Sequence, residues 1–235
     1  MRRPQRYTSF APAYDVLSGE RPVYRTGRVN GIGALRLRPG ALVLDIGCGT
    51  GLNFPLIREA IGPAGRIVGV DASANMLAQA RAKAERRGWM NIDLEHADAT
   101  TLTPGWLNDH LGPRRGPGGA DAVLCTYSLS VMTNWPEAWR AATAAARPGA
   151  RVAVVLMQAP TGPATALAQF ARLACIVGGS DITVHPRNAR ERGATEVNAW
   201  SLRAGHSQVR AEPVPTTQIL TQQETNNEPP ATPQT

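Results

Sequence analysis

Three aspartates and three glycines carry the chemistry that this chain can be expected to do. Asp45 and Asp71 each close a short apolar run, Asp98 closely follows a third run, and Gly47, Gly49 and Gly51 alternate directly after the first acid. A strand, a glycine turn and a helix start form the nucleotide-cradling element of a doubly wound sheet. Glycine matters there because without a Cβ a ligand can come within contact distance of the backbone. A dinucleotide fingerprint would place its third glycine at position 52, where Leu52 stands, which argues against a nicotinamide-dependent dehydrogenase. The Asp45 carboxylate would repel a pyrophosphate and suits a cationic ligand with an amino group. Asp71, 20 residues after Gly51, stands where a carboxylate accepts hydrogen bonds from both hydroxyls of an adenosine ribose.

The elements that must position these residues follow from hydrophobic patterning. The run from Leu42 to Ile46 reads as a fully buried strand, and Pro55, Leu56, Ile57, Ala60 and Ile61 as a helix stopped by Gly62-Pro63. Arg66 to Asp71 is a second strand. Ser73 caps a helix with Met76, Leu77, Ala80 and Ala84 on one face, ended by Gly88. Ile92 to His96 alternates weakly, as an edge strand does. Residues 102–119 turn irregular, with a Gly/Pro-rich loop before the strand Ala122 to Thr126. Tyr127 to Met132 then lie at the topological switch point, where such sheets bind ligands. Asn134 and Pro136 start a helix that Pro148-Gly149 stops. Pro163 to Val177 has helical spacing, and a hairpin across Ala204-Gly205 would bring His206 to the rim of the site. The expected fold is α/β, a doubly wound Rossmann-like sheet.

Val43-Leu44-Asp45-Ile46-Gly47-Cys48-Gly49-Thr50-Gly51 resembles the first motif of the class I S-adenosylmethionine-dependent methyltransferases. S-adenosylmethionine carries a sulfonium and an ammonium and no phosphate, in keeping with Asp45. Gly69-Val70-Asp71-Ala72-Ser73-Ala74-Asn75-Met76-Leu77 resembles the family's second cofactor element, and Arg147-Pro148-Gly149 its turn before the fifth strand. The resemblance implies a seven-stranded sheet with an antiparallel last strand and S-adenosylmethionine as cofactor. It implies that Asp45, Gly47, Cys48, Gly49 and Gly51 bind the cofactor, with Asp45 orienting the methionyl end, and that Asp71 holds the ribose. Ala72 and Met76 would flank the adenine, Asp98 and Ala99 would hold it, and Tyr127 would touch cofactor or substrate. Tyr14-Asp15 resembles an aromatic-acid pair near the substrate in such enzymes. Catalytic candidates are limited to Tyr127 and His206, and no general base stands out. Thr126-Tyr127-Ser128-Leu129 replaces the Asn/Asp-Pro-Pro-Tyr/Phe quartet of amide and nucleic-acid amine methylators. The overall likeness is to bacterial small-molecule and lipid methyltransferases of the quinone and phospholipid types. The alternative is a protein that binds S-adenosylmethionine without catalysis.

Composition bounds the rest. The 235 residues suffice for one well-buried domain, expected over residues 41–214, with an N-terminal helical cap segment over 1–40 and a disordered tail over 215–235. Three scattered cysteines form neither a metal spacing nor a disulfide framework, so no metal and a cytoplasmic location are expected. No apolar run reaches membrane-spanning length and no signal-peptide core is evident. The last 25 residues hold three glutamates and no basic residue, so the remainder carries +10 of the net +7. Arginine dominates that charge. Few aromatics accompany it, which argues against nucleic acid and leaves peripheral contact with an anionic membrane as one reading of the N-terminal arginines.

Overall fold

The computed structural model describes residues 24–103, 105–111, 119–157, 198–202 and 207–214. Seven strands, β1 (Leu42–Ile46), β2 (Arg66–Asp71), β3 (Ile92–His96), β4 (Ala120–Thr126), β5 (Ala146–Met157), β6 (Asn198–Leu202) and β7 (Ser207–Pro213), lie in one sheet in the order β3-β2-β1-β4-β5-β7-β6. The first five run parallel, and β7 runs antiparallel to both β5 and β6. Helices α1 (Arg25–Ala34), α2 (Phe54–Ile61), α3 (Ala74–Arg86), α4 (Trp106–Leu111) and α5 (Trp135–Ala144) cover it. The sheet order reverses between β1 and β4, so the carboxyl ends of these two strands form the switch point.

Period-two alternation along the strands sorts the core into two layers. Leu42, Leu44 and Ile46 of β1 face one layer with Val123 and Cys125 of β4 and the alanines of α5. Val43 of β1 and Ala122 and Leu124 of β4 face the other, with Phe54, Ile57 and Ile61 of α2 and Ile32 of α1. Asp45 and Thr126 continue the second set in register, so both are directed toward α1 and α2.

Helix α1 sits close to the sheet because it is built from small residues. A Cβ on Gly31 would come within 2.5 Å of Val155 Cγ2. The Arg151 guanidinium of β5 donates to the Ala34 carbonyl at 2.9 Å, satisfying one of the orphan acceptors at the end of α1. The described part of the N-terminal segment is therefore a member of the sheet's helix layer.

Two local expectations are corrected. Within the stretch read as irregular, Trp106 to Leu111 form α4, because Trp106 and Leu107 are buried in the core that contains α5. Arg147-Pro148-Gly149 is not a turn ahead of a strand: α5 ends at Ala144 and β5 already begins at Ala146. Gly149 takes φ +72 there, and the pairing of β4 with β5 shifts register between Ala120 and Ala122, so the three residues form an irregular start to the strand. The proposed helix over 163–177, Tyr14, His206 and the tail over 215–235 lie outside the described residues.

Phe54, at the start of α2, is fully buried between the glycine loop and β2. Phe54→Ala is expected to lower stability by about 3–5 kcal/mol. Urea unfolding should show it as a fall in midpoint at constant slope.

Candidate cofactor site

The loop after β1 turns through three left-handed glycines, Gly47 (φ +66), Gly49 (φ +56) and Gly51 (φ +76), and each serves a different neighbour. A Cβ on Gly47 would lie 2.3 Å from Ser128 Cβ, and one on Gly51 would lie 2.4 Å from the Phe54 ring. These two let the chain pack on itself. A Cβ on Gly49 would meet nothing within 4 Å among the described residues, so toward them the backbone here is bare. That is the point where a ligand can approach the loop.

Asp71 organises the far side of the same space. Its Oδ2 accepts from the Gly49 amide at 2.9 Å and its Oδ1 from the Ser73 amide at 2.8 Å. Burial pushes its pKa up while these two amides pull it down, and each oxygen retains a lone pair for a further donor. The Ser73 hydroxyl caps α3 by accepting from the Met76 amide. The Met76 side chain is buried and Ala72 is exposed. His96, at the end of β3, places Nε2 3.1 Å from the Ala72 carbonyl. Asp98 is exposed at the start of the 3-10 turn Ala99–Thr101, and its Oδ1 accepts from the amide and hydroxyl of Thr100; Ala99 is buried. Among the described residues, acids and no cluster of cations thus line the carboxyl ends of β1 and β2 and the turn after β3. These acceptors fit a nucleoside with a cationic tail and no phosphate.

Asp45 stands differently from its reading as a direct ligand of the methionyl end. It is fully buried, and both of its oxygens accept from the Asn53 side-chain amide, at 2.9 and 3.0 Å. The same nitrogen donates to Thr126 Oγ1 at 2.9 Å. On the opposite side of the amide, Asn53 Oδ1 accepts from Arg28 Nη1 at 3.0 Å, and Arg28 Nη1 also donates to Thr126 Oγ1 at 2.8 Å. Burial pushes the Asp45 pKa up to about 7, against the pull of the Asn53 hydrogen bonds and the Arg28 charge, and Asp71 adds to the rise. Cys48 and Cys125, both buried, have thiols pushed up by burial and by the Asp45 charge. They are neutral thiols packed in the core.

At the switch point Tyr127 takes φ +58, a strained backbone for a bulky residue. Its hydroxyl donates to the Tyr24 carbonyl at 3.0 Å, its ring packs edge-on to Tyr24 at 4.9 Å, and the Arg28 guanidinium lies 5.4 Å from the ring centre. Its proton is thereby committed to α1. Ser128 Oγ donates to the Ile46 carbonyl. Ser130, buried in the 3-10 turn Leu129–Val131, has a hydroxyl without a partner among the described residues, a group left for a ligand or a water.

Of the residues singled out in the sequence, Gly49 and Asp71 are joined by a hydrogen bond, Ala72 follows β2 and Asp98 follows β3; Arg28, Asn53, Thr126 and Ser130 were not among them. A signal for Arg28 existed: it shares the face of Ile32 and Leu35 at helical spacing, an arginine on a buried stripe.

Because the folded pKa of Asp45 lies above its unfolded value near 4, the folded chain holds this proton more tightly. Its contribution to stability is full below about pH 4 and falls as pH rises to about 7, by on the order of 4 kcal/mol. Asp45→Asn should remove that fall. The gain in urea midpoint of this variant over the parent should therefore be larger at pH 8 than at pH 5.

Comparison with known proteins agrees with this geometry. Residues 43–149 match the family model described as a methyltransferase domain. The chain is 28% identical over 160 residues to 2-phytyl-1,4-naphtoquinone methyltransferase of Synechococcus elongatus, covering 67% of this chain and 64% of that protein. It is 28% identical over 125 residues to demethylmenaquinone methyltransferase of Bacillus cytotoxicus, covering 53% of this chain and 48% of that protein. The chain thus spans less than two thirds of the length of these relatives. A methyltransferase from Aquifex aeolicus described as SAM-dependent shares the fold at a TM-score of 0.60 and 14% identity, over 87% of this chain and 98% of that one. With the glycine loop, the acid-lined edge and the sheet order, these matches support reading residues 43–149 as a methyltransferase domain of the S-adenosylmethionine-dependent class.

Proposed function

We propose that the protein transfers a methyl group from S-adenosylmethionine to a small organic or lipid acceptor of the quinone type. The bare backbone at Gly49 beside the doubly anchored Asp71 carries the cofactor half of this reading. The relatives named for naphthoquinone and demethylmenaquinone methylation carry the acceptor half. When bound, S-adenosylmethionine supplies a sulfonium methyl open to in-line displacement, so the protein's work is positioning.

Asp71 would accept from the ribose hydroxyls with the lone pairs its backbone amides leave, and Asp98 and Ala99 would hold the adenine beside Ala72 and Met76. Asp45 would act as a charge beneath the loop, since its oxygens face Asn53. Ser130 offers the acceptor a hydroxyl. Tyr14 would lie over the substrate, His206 would reach the rim, and the part of the N-terminal segment ahead of α1 would cap the site. Among the described residues no helix is long and apolar enough to cross a membrane and no acid, histidine and cysteine group is arranged to hold a metal. A lipid acceptor would then be met at a membrane surface by the arginine-rich N-terminal segment, from the cytoplasmic side.

One observation supports a second reading, in which the ligand is bound without transfer. The hydroxyls of Thr126, Tyr127 and Ser128 at the switch point are all engaged within the protein.

Incubation with methyl-labelled S-adenosylmethionine and a cell extract, partitioned into lipid, aqueous and protein fractions, should place label in the lipid fraction. Label confined to protein would overturn the acceptor class. Binding without label in any fraction would favour the second reading. Asp71→Ala should weaken S-adenosylhomocysteine by about 1–3 kcal/mol in a calorimetric titration, as the ribose loses its charged acceptor. Unchanged affinity would sink the ribose assignment.

A further inference from the structure

Arg28 lies before the first strand, outside the matched residues 43–149, and is nonetheless buried against the cofactor loop. Its geometry follows from α1. Gly31, one turn along, lets the helix approach β5 to the limit of contact, which brings the guanidinium down to the carboxyl ends of β1 and β4. There it donates to Asn53 Oδ1 at 3.0 Å and Thr126 Oγ1 at 2.8 Å. The Asn53 amide is polarised the same way at both ends: its oxygen faces the guanidinium and its nitrogen faces both carboxylate oxygens of Asp45. An amide rotated by half a turn would set its oxygen against a carboxylate and its NH2 against a cation, so Arg28 and Asp45 together fix one orientation. Such a network is cooperative, and loss of one member leaves the others unmatched.

We propose that Arg28 is a positioning residue of the cofactor site: through Asn53 it fixes the Asp45 carboxylate beneath the glycine loop in its charged form, so that the helix before the first strand tunes the grip on the amino-acid end of the ligand. This rests on the reading of that loop as the S-adenosylmethionine cradle. Among the described residues, the charged and titratable groups around Asp45 are Arg28 from α1, Asp71 from β2, Cys48 in the loop and Cys125 from β4, and Arg28 is the only cation of these. The thiols are neutral and Asp71 opposes the charge of Asp45, so Arg28 and the Asn53 amide must hold that charge against burial. Without the guanidinium, Asp45 takes up a proton at higher pH, and a cationic ammonium above the loop loses its attraction.

The test titrates S-adenosylhomocysteine and 5′-methylthioadenosine, which lacks the amino-acid end, into the full chain and its Arg28→Met, Arg28→Lys and Thr126→Val variants between pH 6 and 8.5. In the parent, S-adenosylhomocysteine should weaken as pH falls through about 7, where Asp45 protonates, while methylthioadenosine stays level. In Arg28→Met that midpoint should move up by about one unit, with affinity about fivefold lower at pH 7, about tenfold lower at pH 6, and methylthioadenosine unchanged. Arg28→Lys keeps the charge and should keep the parent midpoint, and Thr126→Val should fall between. An unchanged profile in Arg28→Met, with both ligands bound by the parent, overturns this inference alone. Equal loss of both ligands in Arg28→Met overturns it too, since Arg28 would then be a strut for the fold. A parent that binds neither ligand overturns the cofactor reading itself.

Discussion

A carboxylate buried under a glycine loop has to be matched by donors, and this requirement organises the ligand end of the sheet. An isolated ionised carboxylate in an apolar interior is costly enough that it ordinarily neutralises. Asp45 is close to that point, with its pKa pushed up to about 7. What holds it is a layer of polar groups drawn from four separate elements: β1 itself, Asn53 ahead of α2, Thr126 at the end of β4 and Arg28 in α1. Each of these sits where two strands and two helices converge, so the positions of α1 and α2 on the sheet are constrained by polar pairing as well as by apolar contact.

The same convergence explains the strain at Tyr127. The chain leaves β4 directly beyond Thr126, and it must turn without disturbing that hydroxyl. A left-handed residue makes the turn, and the cost is met by three contacts of its side chain with Tyr24 and Arg28. The phenol is therefore a fastening between the switch point and α1. Its hydroxyl donates to a backbone carbonyl, a partner that no local pattern indicates.

The outer half of the site is simpler in construction. Asp71 is exposed enough to meet a ligand and is held by two backbone amides, one from the loop and one from the turn into α3. The loop and the second strand are thus locked to each other before any ligand arrives, which limits the ordering that binding must impose. At the opposite end of the sheet Asp121 plays a purely structural part, accepting from the Leu42 amide and from Arg147 where β1, β4 and β5 begin. Acids at the two ends of the strands thus serve different purposes.

Much of this was legible in the chain because it depends on local pattern. Short apolar runs ending in Asp45 and Asp71, glycines at alternate positions and Ser73 ahead of an amphipathic helix each act over a few residues, and they suffice for the strand-loop-helix units that set Gly49 beside Asp71. The tertiary structure decided what depends on contacts between distant positions. Arg28 and Thr126 are 98 residues apart, and Asn53 and Thr126 are 73 apart. Alternation alone placed Asp45 in a strand but could not say whether its carboxylate met ligand or protein. Its protein partner is Asn53, held in turn by Arg28, and these side chains meet only once α1 and α2 are docked on the sheet. The extent of α4 and the irregular start of β5 were likewise fixed by burial of Trp106 and Leu107 and by the register between β4 and β5, which no local propensity encodes.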